Sequence, residues 1–394
     1  MFGKFYYRRI TFLLALIASF LPLGALADEI LIGMSSALTG SAEALGKGMK
    51  AGVEAKFAEV NASGGIHGRK LKLVALDDGY EPTRTAPNMH TLIDENKVVA
   101  VIGNVGTPTA IVSVPIANEK KVPLVGAFTG AGVLRKTPPD RYVINYRASY
   151  AQETAAMVEG ILNGLKIKPE EIAFFTQNDG YGDDGYKGAI TALEKAGFKD
   201  TAKLAHGRYA RNTDNVEEGL SVILDATPAP KAIIMVGAYK ACAKFIKLAK
   251  AEGLDAVFAN VSFVGSDALL SQLGAEAEGV IVTQVVPHYK TTMSGVKSYT
   301  SAMQSLGFSN DVGFVSLEGY LAASMLVKGL EKISDEPTAD KIVDALDGFG
   351  ELDLGIGQMA TLSATDHQAM DSVWPTIVKG GQYVALLDWS GLKH

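Results

Sequence analysis

Short apolar segments alternate with longer amphipathic ones along almost the whole chain, and this alternation constrains the fold more than any other feature. The segments 29–34, 71–76 and 98–102 have the length and the β-branched content of buried strands. Helical patterns lie between most such segments, for example the apolar positions from Val53 to Val60. Regular strand–helix alternation predicts mainly parallel sheets with right-handed crossovers, so the predicted fold class is α/β.

The alternation runs through two successive units, each with the pattern of a doubly wound sheet. Predicted strands of the first unit lie at 29–34, 71–76, 98–102, 122–127 and 142–146. Predicted strands of the second unit lie at 172–176, 232–236, 257–263 and 280–286. A helical stretch at 317–333 follows, and the segments 374–378 and 383–387 flank a Gly-Gly turn that predicts a β-hairpin. No Pro- or Ser-rich linker separates the units, which predicts two lobes joined by short crossings.

The segment from Val98 to Ala110 predicts a binding position at the edge of the first sheet. Its strand ends at Gly103, and Thr107 or Thr109 is the predicted N-cap of the helix that follows. The free N–H groups at the start of a helix attract a carboxylate or another acceptor. The position also lies beyond the carboxyl end of a strand, where open α/β sheets bind ligands.

Small, hydroxyl and aromatic residues follow five other predicted strands as well. Together with Gly106 and Thr107, the candidate ligand-binding residues are Ser36, Phe128, Thr129, Gly130, Tyr181, Tyr239 and Ser262. If the carboxyl edges of the two units face each other, these residues line a cleft with donors on one wall and rings on the other. Such a cleft holds a small polar molecule with an apolar part. Helix capping and ring packing are the alternative roles for each residue.

Residues 1–27 are predicted to be a secretory signal peptide. Lys4, Arg8 and Arg9 precede an apolar run at 10–26, and Ala25-Leu26-Ala27 places small residues where a signal peptidase needs them. The alternative is an uncleaved membrane anchor, but Pro22 and Gly24 interrupt the apolar run. The predicted location of the mature protein is therefore a bacterial periplasm.

Composition and motifs argue against several function classes. The net charge is −6 without a basic block, which disfavours nucleic-acid binding. Cys242 is the only cysteine, so no intramolecular disulfide and no Cys-based metal cluster is expected. The sequence contains no HExxH, no GxSxG and no correctly spaced Walker motif, and its six histidines are scattered. We therefore expect no catalytic residue, no metal and no cofactor.

Four stretches of the mature chain resemble one protein family. They are residues 38–78, with the turn NASGGIHGRKL, residues 101–110 (VIGNVGTPTA), residues 178–185 (NDGYGDDG) and residues 236–239 (VGAY). This chain resembles the type I periplasmic solute-binding proteins of ABC importers, in the leucine/isoleucine/valine-binding branch. The resemblance covers nearly all of the mature sequence.

The resemblance implies two doubly wound lobes in a clamshell with a three-crossing hinge. Lobe 1 would hold residues 28–148 and 286–365, and lobe 2 would hold residues 149–285 and 366–394. In the family, residues after the third and fourth strands hold the carboxylate and the ammonium of an amino acid, and these positions match Thr107, Phe128, Thr129 and Gly130. The family's two cleft tyrosines match Tyr181 and Tyr239.

One departure from the family bears directly on the ligand. Amino-acid binders carry a glutamate that pairs with the ligand ammonium, and Ser262 aligns with it here. A buried ammonium without a carboxylate partner is costly. Either Glu318 supplies that carboxylate, or the ligand is an amide or a carboxylate and not an α-amino acid. Glu318 as a solvated helix residue is the remaining alternative.

The sequence thus predicts a monomeric substrate-binding protein that delivers a small ligand to the membrane subunits of an ABC permease. A ligand sensor that docks on a membrane receptor is an alternative with the same fold. An enzyme on a doubly wound scaffold is a second alternative, disfavoured by the missing catalytic constellation.

Overall fold

The computed structural model describes residues 29–392, so the predicted signal peptide lies outside the described residues. The first sheet and its helices comprise β1 (Ile30–Ser36), α1 (Glu43–Ala62), β2 (Leu71–Asp77), α2 (Pro82–His90), β3 (Ala100–Ile102), α3 (Thr107–Lys120), β4 (Leu124–Val125) and β5 (Val143–Ile144). The second group comprises α4 (Tyr150–Glu159), β6 (Ile172–Gln177), α5 (Gly180–Lys195), β7 (His206–Tyr209), α6 (Glu217–Leu224), β8 (Ala232–Val236), α7 (Tyr239–Ala251), β9 (Val257–Asn260), α8 (Ser266–Leu273) and β10 (Ile281–Gln284). The last group comprises α9 (Ser294–Ser305), α10 (Phe314–Glu331), α11 (Ala339–Asp347), β11 (Gly350–Asp353), β12 (Met359–Leu362), β13 (Trp374–Lys379) and β14 (Gln382–Ala385).

Two twisted sheets of the same topology form the framework, which confirms the predicted α/β class. The first has the strand order β2-β1-β3-β4-β5 and is parallel throughout. The second repeats this order as β7-β6-β8-β9-β10, and the antiparallel hairpin β13-β14 extends it beside β10. In each sheet the order reverses between the first and third strands, and ligands bind at the carboxyl ends of strands near such a reversal.

The chain passes between the two sheets three times. It leaves the first sheet after β5, and it leaves the second after β10, after which α10 packs against α1 of the first unit. It then returns to the second sheet as β13. A two-stranded sheet, β11-β12, lies on the way back, and Asn145 bonds to the backbone of His367 and Ala369 in the segment between β12 and β13. The lobe boundaries given above remain a prediction.

Helix α1 meets α10 through glycines. A Cβ atom added at Gly52 would overlap the carbonyl of Ser316, and one added at Gly319 would overlap the carbonyl of Met49. The two helix backbones therefore touch directly, and almost every residue of α10 between Phe314 and Leu330 is buried. Glu318 lies on this buried helix, which rules out the solvated role.

The start of α3 differs from the prediction. The N-cap is Gly106, and neither Thr107 nor Thr109 caps the helix with its side chain. Gly106 adopts φ 107°, and a Cβ atom there would overlap the ring of Tyr80, so only glycine fits this turn. The Thr109 hydroxyl instead donates to the carbonyl of Gly106 at 2.8 Å. Pro108 lies in the first turn as expected.

Polar contacts join the two lobes at the open side of the cleft. Arg211, after β7, pairs with Glu81, after β2, at 2.8 Å. The Asn212 amide donates to the carboxylate of Glu81 at 2.5 Å and to the carbonyl of Gly79 at 3.2 Å. Ser41 donates to Asn212 at 2.5 Å. We call these five residues the interlobe latch.

Candidate ligand-binding site

The carboxyl ends of the two sheets face each other, and Arg147 lies between them. Arg147 follows β5 by three residues and precedes α4, so it stands at the first passage between the sheets. Ser149 forms a capping box with Gln152, in which the Ser149 hydroxyl accepts from the Gln152 N–H at 3.2 Å. This cap fixes the first turn of α4 and aims Tyr150 and Glu153, three residues apart, at the same face.

The Arg147 guanidinium is fully buried and has carboxylates on two sides. Its Nη2 donates to Glu153 at 3.3 Å and contacts the hydroxyl of Ser262. Its Nη1 lies 3.6 Å from Glu318 Oε1, which is an ion pair but too long for a hydrogen bond. Within residues 29–392, Nε and Nη1 have no hydrogen-bond partner. Burial pulls the pKa of Arg147 down, but the two carboxylates outweigh it and raise that pKa above its usual value.

Arg135 holds the backbone on both sides of this cluster. Its guanidinium donates to the carbonyl of Arg147 at 2.8 Å and to the carbonyl of Thr129 at 3.3 Å. These two carbonyls belong to the loops that follow β5 and β4. Arg135 therefore sets the distance between two strand ends that supply site residues.

Glu153 is a fully bonded carboxylate. It accepts from the Ser262 N–H at 2.7 Å, from the Ser262 hydroxyl at 3.0 Å and from the Thr283 hydroxyl at 2.7 Å, in addition to Arg147. Burial raises the pKa of Glu153, and these donors oppose that rise. Glu153 thus holds Arg147 in position from the second lobe.

Glu318 reaches the same cluster from α10 in the first lobe. Its side chain is buried, and among the described residues Oε1 has no hydrogen-bond partner. Burial raises the pKa of Glu318 to about 7; Glu153 adds to this rise, and Arg147 and Arg135 reduce it. The Glu318 carboxyl group therefore titrates near neutral pH, and it lies beside the buried guanidinium of Arg147.

Aromatic rings from both lobes enclose the charged cluster. The Phe128 ring lies 4.8 Å from the Arg147 guanidinium and 5.4 Å from the Phe263 ring. Phe263 also packs against Tyr181 at 4.5 Å and Tyr80 at 5.9 Å, and Tyr181 packs against Tyr150 at 5.2 Å. Offset and tilted rings at these separations form an apolar wall that excludes water.

Three hydroxyl groups bond to one another beside the rings. Thr107 lies 2.7 Å from Thr129, and Thr129 lies 3.1 Å from the Tyr150 hydroxyl. All three side chains are buried. A hydroxyl group can donate or accept, so a ligand acceptor at the start of α3 can accept a hydrogen bond from this chain of hydroxyls.

Most of the predicted site residues converge on this cluster, and two do not. Gly106, Thr107, Phe128, Thr129, Gly130, Tyr181, Ser262 and Glu318 all touch it or the rings around it. Ser36 is buried at the end of β1, and its hydroxyl bonds to none of the described residues. Tyr239 starts α7 and lies beside the backbone N–H of Ala44 at the start of α1.

Sequence reasoning missed Arg147, Glu153 and Tyr150. The strand at 142–146 was predicted, and the rule that carboxyl ends of strands carry site residues points to Arg147, which comes directly after it. The signal was a single arginine between apolar residues in the sequence INYRASY. Glu153 carries no such signal, because a glutamate in the first turn of a helix is commonplace.

A groove of about 980 Å³ lies outside the cleft, between α4 and α5. Its floor consists of helix side chains such as Val158, Leu162 and Ala192, and its rim carries Lys187 and Lys195. It contains none of the rings described above and neither Arg147 nor Glu318. Within residues 29–392 no cluster of His, Cys, Asp and Glu side chains is suited to a metal ion, and no helix has the length and apolar character to span a bilayer.

Comparison with known proteins agrees with this architecture. A solved structure from Rhodopirellula baltica, described as a possible leucine/isoleucine/valine-binding protein, is 48% identical and superimposes with a TM-score of 0.89, covering 93% of this chain and 98% of that one. The leucine-, isoleucine-, valine-, threonine- and alanine-binding protein of Pseudomonas aeruginosa is 23% identical over 84% of this chain and 85% of its own length. The Leu/Ile/Val-binding protein of Escherichia coli is 23% identical over 70% of this chain and 74% of its own.

A family model described as periplasmic binding protein matches residues 29–382. The match includes the first sheet, α10 and the second sheet as far as β13, and thus every residue of the cluster around Arg147. The chain belongs to the periplasmic binding protein family.

Proposed function

We propose that this chain is the exported substrate-binding component of an ABC importer. In the periplasm it captures a small polar organic ligand between its lobes and delivers it to the membrane subunits of the permease. The ligand is a branched-chain amino acid, another amino acid, or a related amide or carboxylate. Catalysis is not part of this function. The observation that carries the proposal is the convergence of strand ends from both lobes on one fully buried, incompletely bonded arginine.

Several features support ligand capture over a purely structural role for the cluster. A buried polar atom without a hydrogen-bond partner is unfavourable, and three such atoms, on Arg147 and Glu318, lie at the junction of two lobes. The lobes are joined there by passages of backbone and at the open side by the latch. Ligand binding between hinged lobes favours the closed arrangement by the difference in affinity between the two states. The Pseudomonas aeruginosa and Escherichia coli proteins named above are amino-acid-binding proteins, which supports a small organic ligand.

The experiment has two stages. A thermal-shift screen of protein that has been unfolded and refolded, to remove carried-over ligand, covers amino acids, small amides, urea, and aliphatic and aromatic carboxylates. A ligand at about 100 times its Kd adds about 2.7 kcal/mol to the free energy of unfolding, which raises the melting temperature measurably. Small-angle scattering then reports whether the hit reduces the radius of gyration.

Uptake measurements separate transport from sensing. In the transport case, deletion of the gene abolishes uptake of the ligand by the cells that carry it, and reintroduction restores uptake. If uptake persists while a response to the ligand is lost, the chain is instead a sensor that docks on a membrane receptor. A panel in which no compound raises the melting temperature or contracts the protein would contradict ligand capture itself.

A further inference from the structure

The protein itself supplies a fixed positive charge at the centre of the cleft. Arg147 is ionised at any physiological pH, and its guanidinium lies between the carboxyl ends of both sheets. Two of its nitrogen atoms, Nε and Nη1, have no hydrogen-bond partner within residues 29–392. A charged N–H donor of this kind forms its strongest hydrogen bonds with an anion, and a carboxylate is such an acceptor.

A ligand ammonium group, by contrast, finds in this cluster only carboxylates that already pair with Arg147. Glu153 already accepts from Ser262, Thr283 and Arg147, so both of its oxygens are engaged. Glu318 forms its ion pair with Arg147. An ammonium group here would place a second positive charge beside the first and compete with Arg147 for Glu318, at the desolvation cost of a buried ion.

The charges around Glu318 determine whether a proton binds together with an anion in the cleft. The titratable groups that face Glu318 are Arg147, Glu153 and Arg135, together with the phenol of Tyr146 at the end of the first sheet. With Glu318 ionised, its charge and that of Glu153 cancel those of the two arginines. A bound carboxylate adds one negative charge, and a proton on Glu318 restores the balance and gives the second oxygen of the ligand a donor.

The body of the ligand meets the ring wall. Phe128, Tyr150, Tyr181 and Phe263 lie around the guanidinium, and both lobes contribute to them. Their surfaces are apolar apart from the two hydroxyl groups. A hydrocarbon or aromatic chain attached to the carboxylate is therefore the chemistry that fits the rest of the cleft.

We propose that the ligand is a small carboxylate with an apolar body and no α-ammonium group, bound by Arg147 and by protonated Glu318 with uptake of one proton. This inference rests on the proposed function and names its substrate class. Arg147 provides the charge, and Glu318 adjusts its protonation to the bound anion. Ser262 and Glu153 act as positioning residues that hold the guanidinium.

The test uses matched pairs of compounds that differ by a single ammonium group. The pairs are 4-methylpentanoate with leucine and 3-phenylpropanoate with phenylalanine, titrated calorimetrically at pH 6 and pH 8 in buffers of different ionisation enthalpy. We expect each carboxylate to bind at least about 30-fold more tightly than its amino acid. Above the pKa of Glu318, we expect the affinity to fall about tenfold per pH unit, with one proton taken up per ligand at pH 8.

Two variants assign these effects to residues. In Glu318→Gln the amide is nearly isosteric with the carboxyl group and donates a hydrogen bond at every pH. We expect this variant to retain carboxylate binding but to lose both the pH dependence and the proton uptake. Arg147→Met lowers the carboxylate affinity at least about 100-fold, whereas Arg147→Lys retains part of it. Circular dichroism and melting temperature establish that each variant is folded, and Glu318→Gln keeps the test decisive if Arg147→Met unfolds.

Three results would overturn the inference. They are tighter binding of an amino acid than of its matched carboxylate, carboxylate binding without proton uptake in the unmodified protein, and binding of neither series. If another compound still contracts the protein in scattering, the carboxylate class is wrong and the proposed function stands. If no compound contracts it, both proposals fail.

Discussion

At the scale of single residues, the cleft carries a cation of its own beside Ser262. The resemblance to amino-acid binders places a ligand-pairing glutamate at this position, and the structure has a serine that contacts Arg147 and bonds to Glu153. The hydroxyl is short enough to leave room for the guanidinium. The carboxylate that completes the ion pair comes from α4 in place of the loop after β9.

The raised pKa of Glu318 predicts a pH-dependent stability of the unliganded protein. In the unfolded chain Glu318 titrates near 4.5, and in the folded protein its pKa lies at about 7 because burial disfavours the carboxylate. The folded state therefore holds the proton more tightly, and its contribution to stability is present below pH 4.5 and lost as the pH rises towards 7.

Urea denaturation at pH 4.5 and pH 8 measures this contribution against the Glu318→Gln variant. We expect the unmodified protein to lose about 3 kcal/mol more of unfolding free energy over this interval than the variant does. Other acids, including Glu153, titrate in both proteins, so the difference isolates Glu318. Equal losses would show that Glu318 is not protonated in the folded protein at neutral pH.

Sequence patterns located the strand ends but not the bonds between them. Thr107, Thr129 and Tyr181 were identifiable because each follows a recognisable strand. That Thr107 bonds to Thr129, and that Tyr181 is a fully buried ring tilted against Phe263, depends on how distant loops contact one another. Sequence periodicity carries no information on contacts between distant loops. Ser36 and Tyr239 were therefore grouped with residues that the structure places elsewhere.

At the scale of elements, the strand–helix order was predictable and several boundaries were not. The hairpin β13-β14 and the repeated parallel sheets agree with the pattern, whereas β4 and β5 span only two residues each. The predicted strand at 257–263 ends at Asn260, and Ser262 to Val264 form a single 3₁₀ turn. That turn brings Ser262 to Arg147, a tertiary contact that outweighs local propensity.

The close contact of α1 with α10 predicts strong sensitivity at one glycine. In Gly52→Ala the new methyl group meets the Ser316 carbonyl and the Tyr320 N–H, and neither backbone can move without displacing α10. We expect a loss of at least about 2 kcal/mol in the free energy of unfolding, measured by urea denaturation.

Gly391→Ala is the matched control, because a Cβ atom at Gly391 meets nothing within 4 Å. Its stability should match that of the unmodified protein to within about 0.5 kcal/mol. If Gly52→Ala is as stable as this control, the two helices are not in backbone contact.

At the scale of the whole molecule, residues from the two sheets contact one another in two places, the cluster around Arg147 and the interlobe latch. Each latch bond joins partly exposed groups and contributes little alone. If the lobes open and close about their hinge, the four latch bonds act on one equilibrium, and their sum shifts the populations of the open and closed states.

Removal of the central latch residue tests this arrangement. Glu81→Ala deletes the pairing with Arg211 and one bond of Asn212, so we expect the unliganded protein to open and its radius of gyration to increase in small-angle scattering. The ligand affinity should fall about fivefold, since about 1 kcal/mol of closing energy is lost.

Glu54→Ala is the control, because Glu54 pairs with Lys50 within α1 and contributes to no bond of the latch. An unchanged radius in both variants would mean that the latch does not govern closure. Saturating ligand should restore the compact radius of Glu81→Ala, which separates opening from unfolding.

The C-terminal hairpin determines when the second lobe is complete during synthesis. β6 begins at Ile172, but the sheet receives β13 and β14 only after Trp374, and the indole of Trp389 covers Gly160 and Gly164 beyond α4. A nascent chain that lacks its last residues leaves β10 as a bare edge and this surface uncovered. The second sheet and the surface beyond α4 are therefore completed only by residues that lie more than 200 positions after β6 begins.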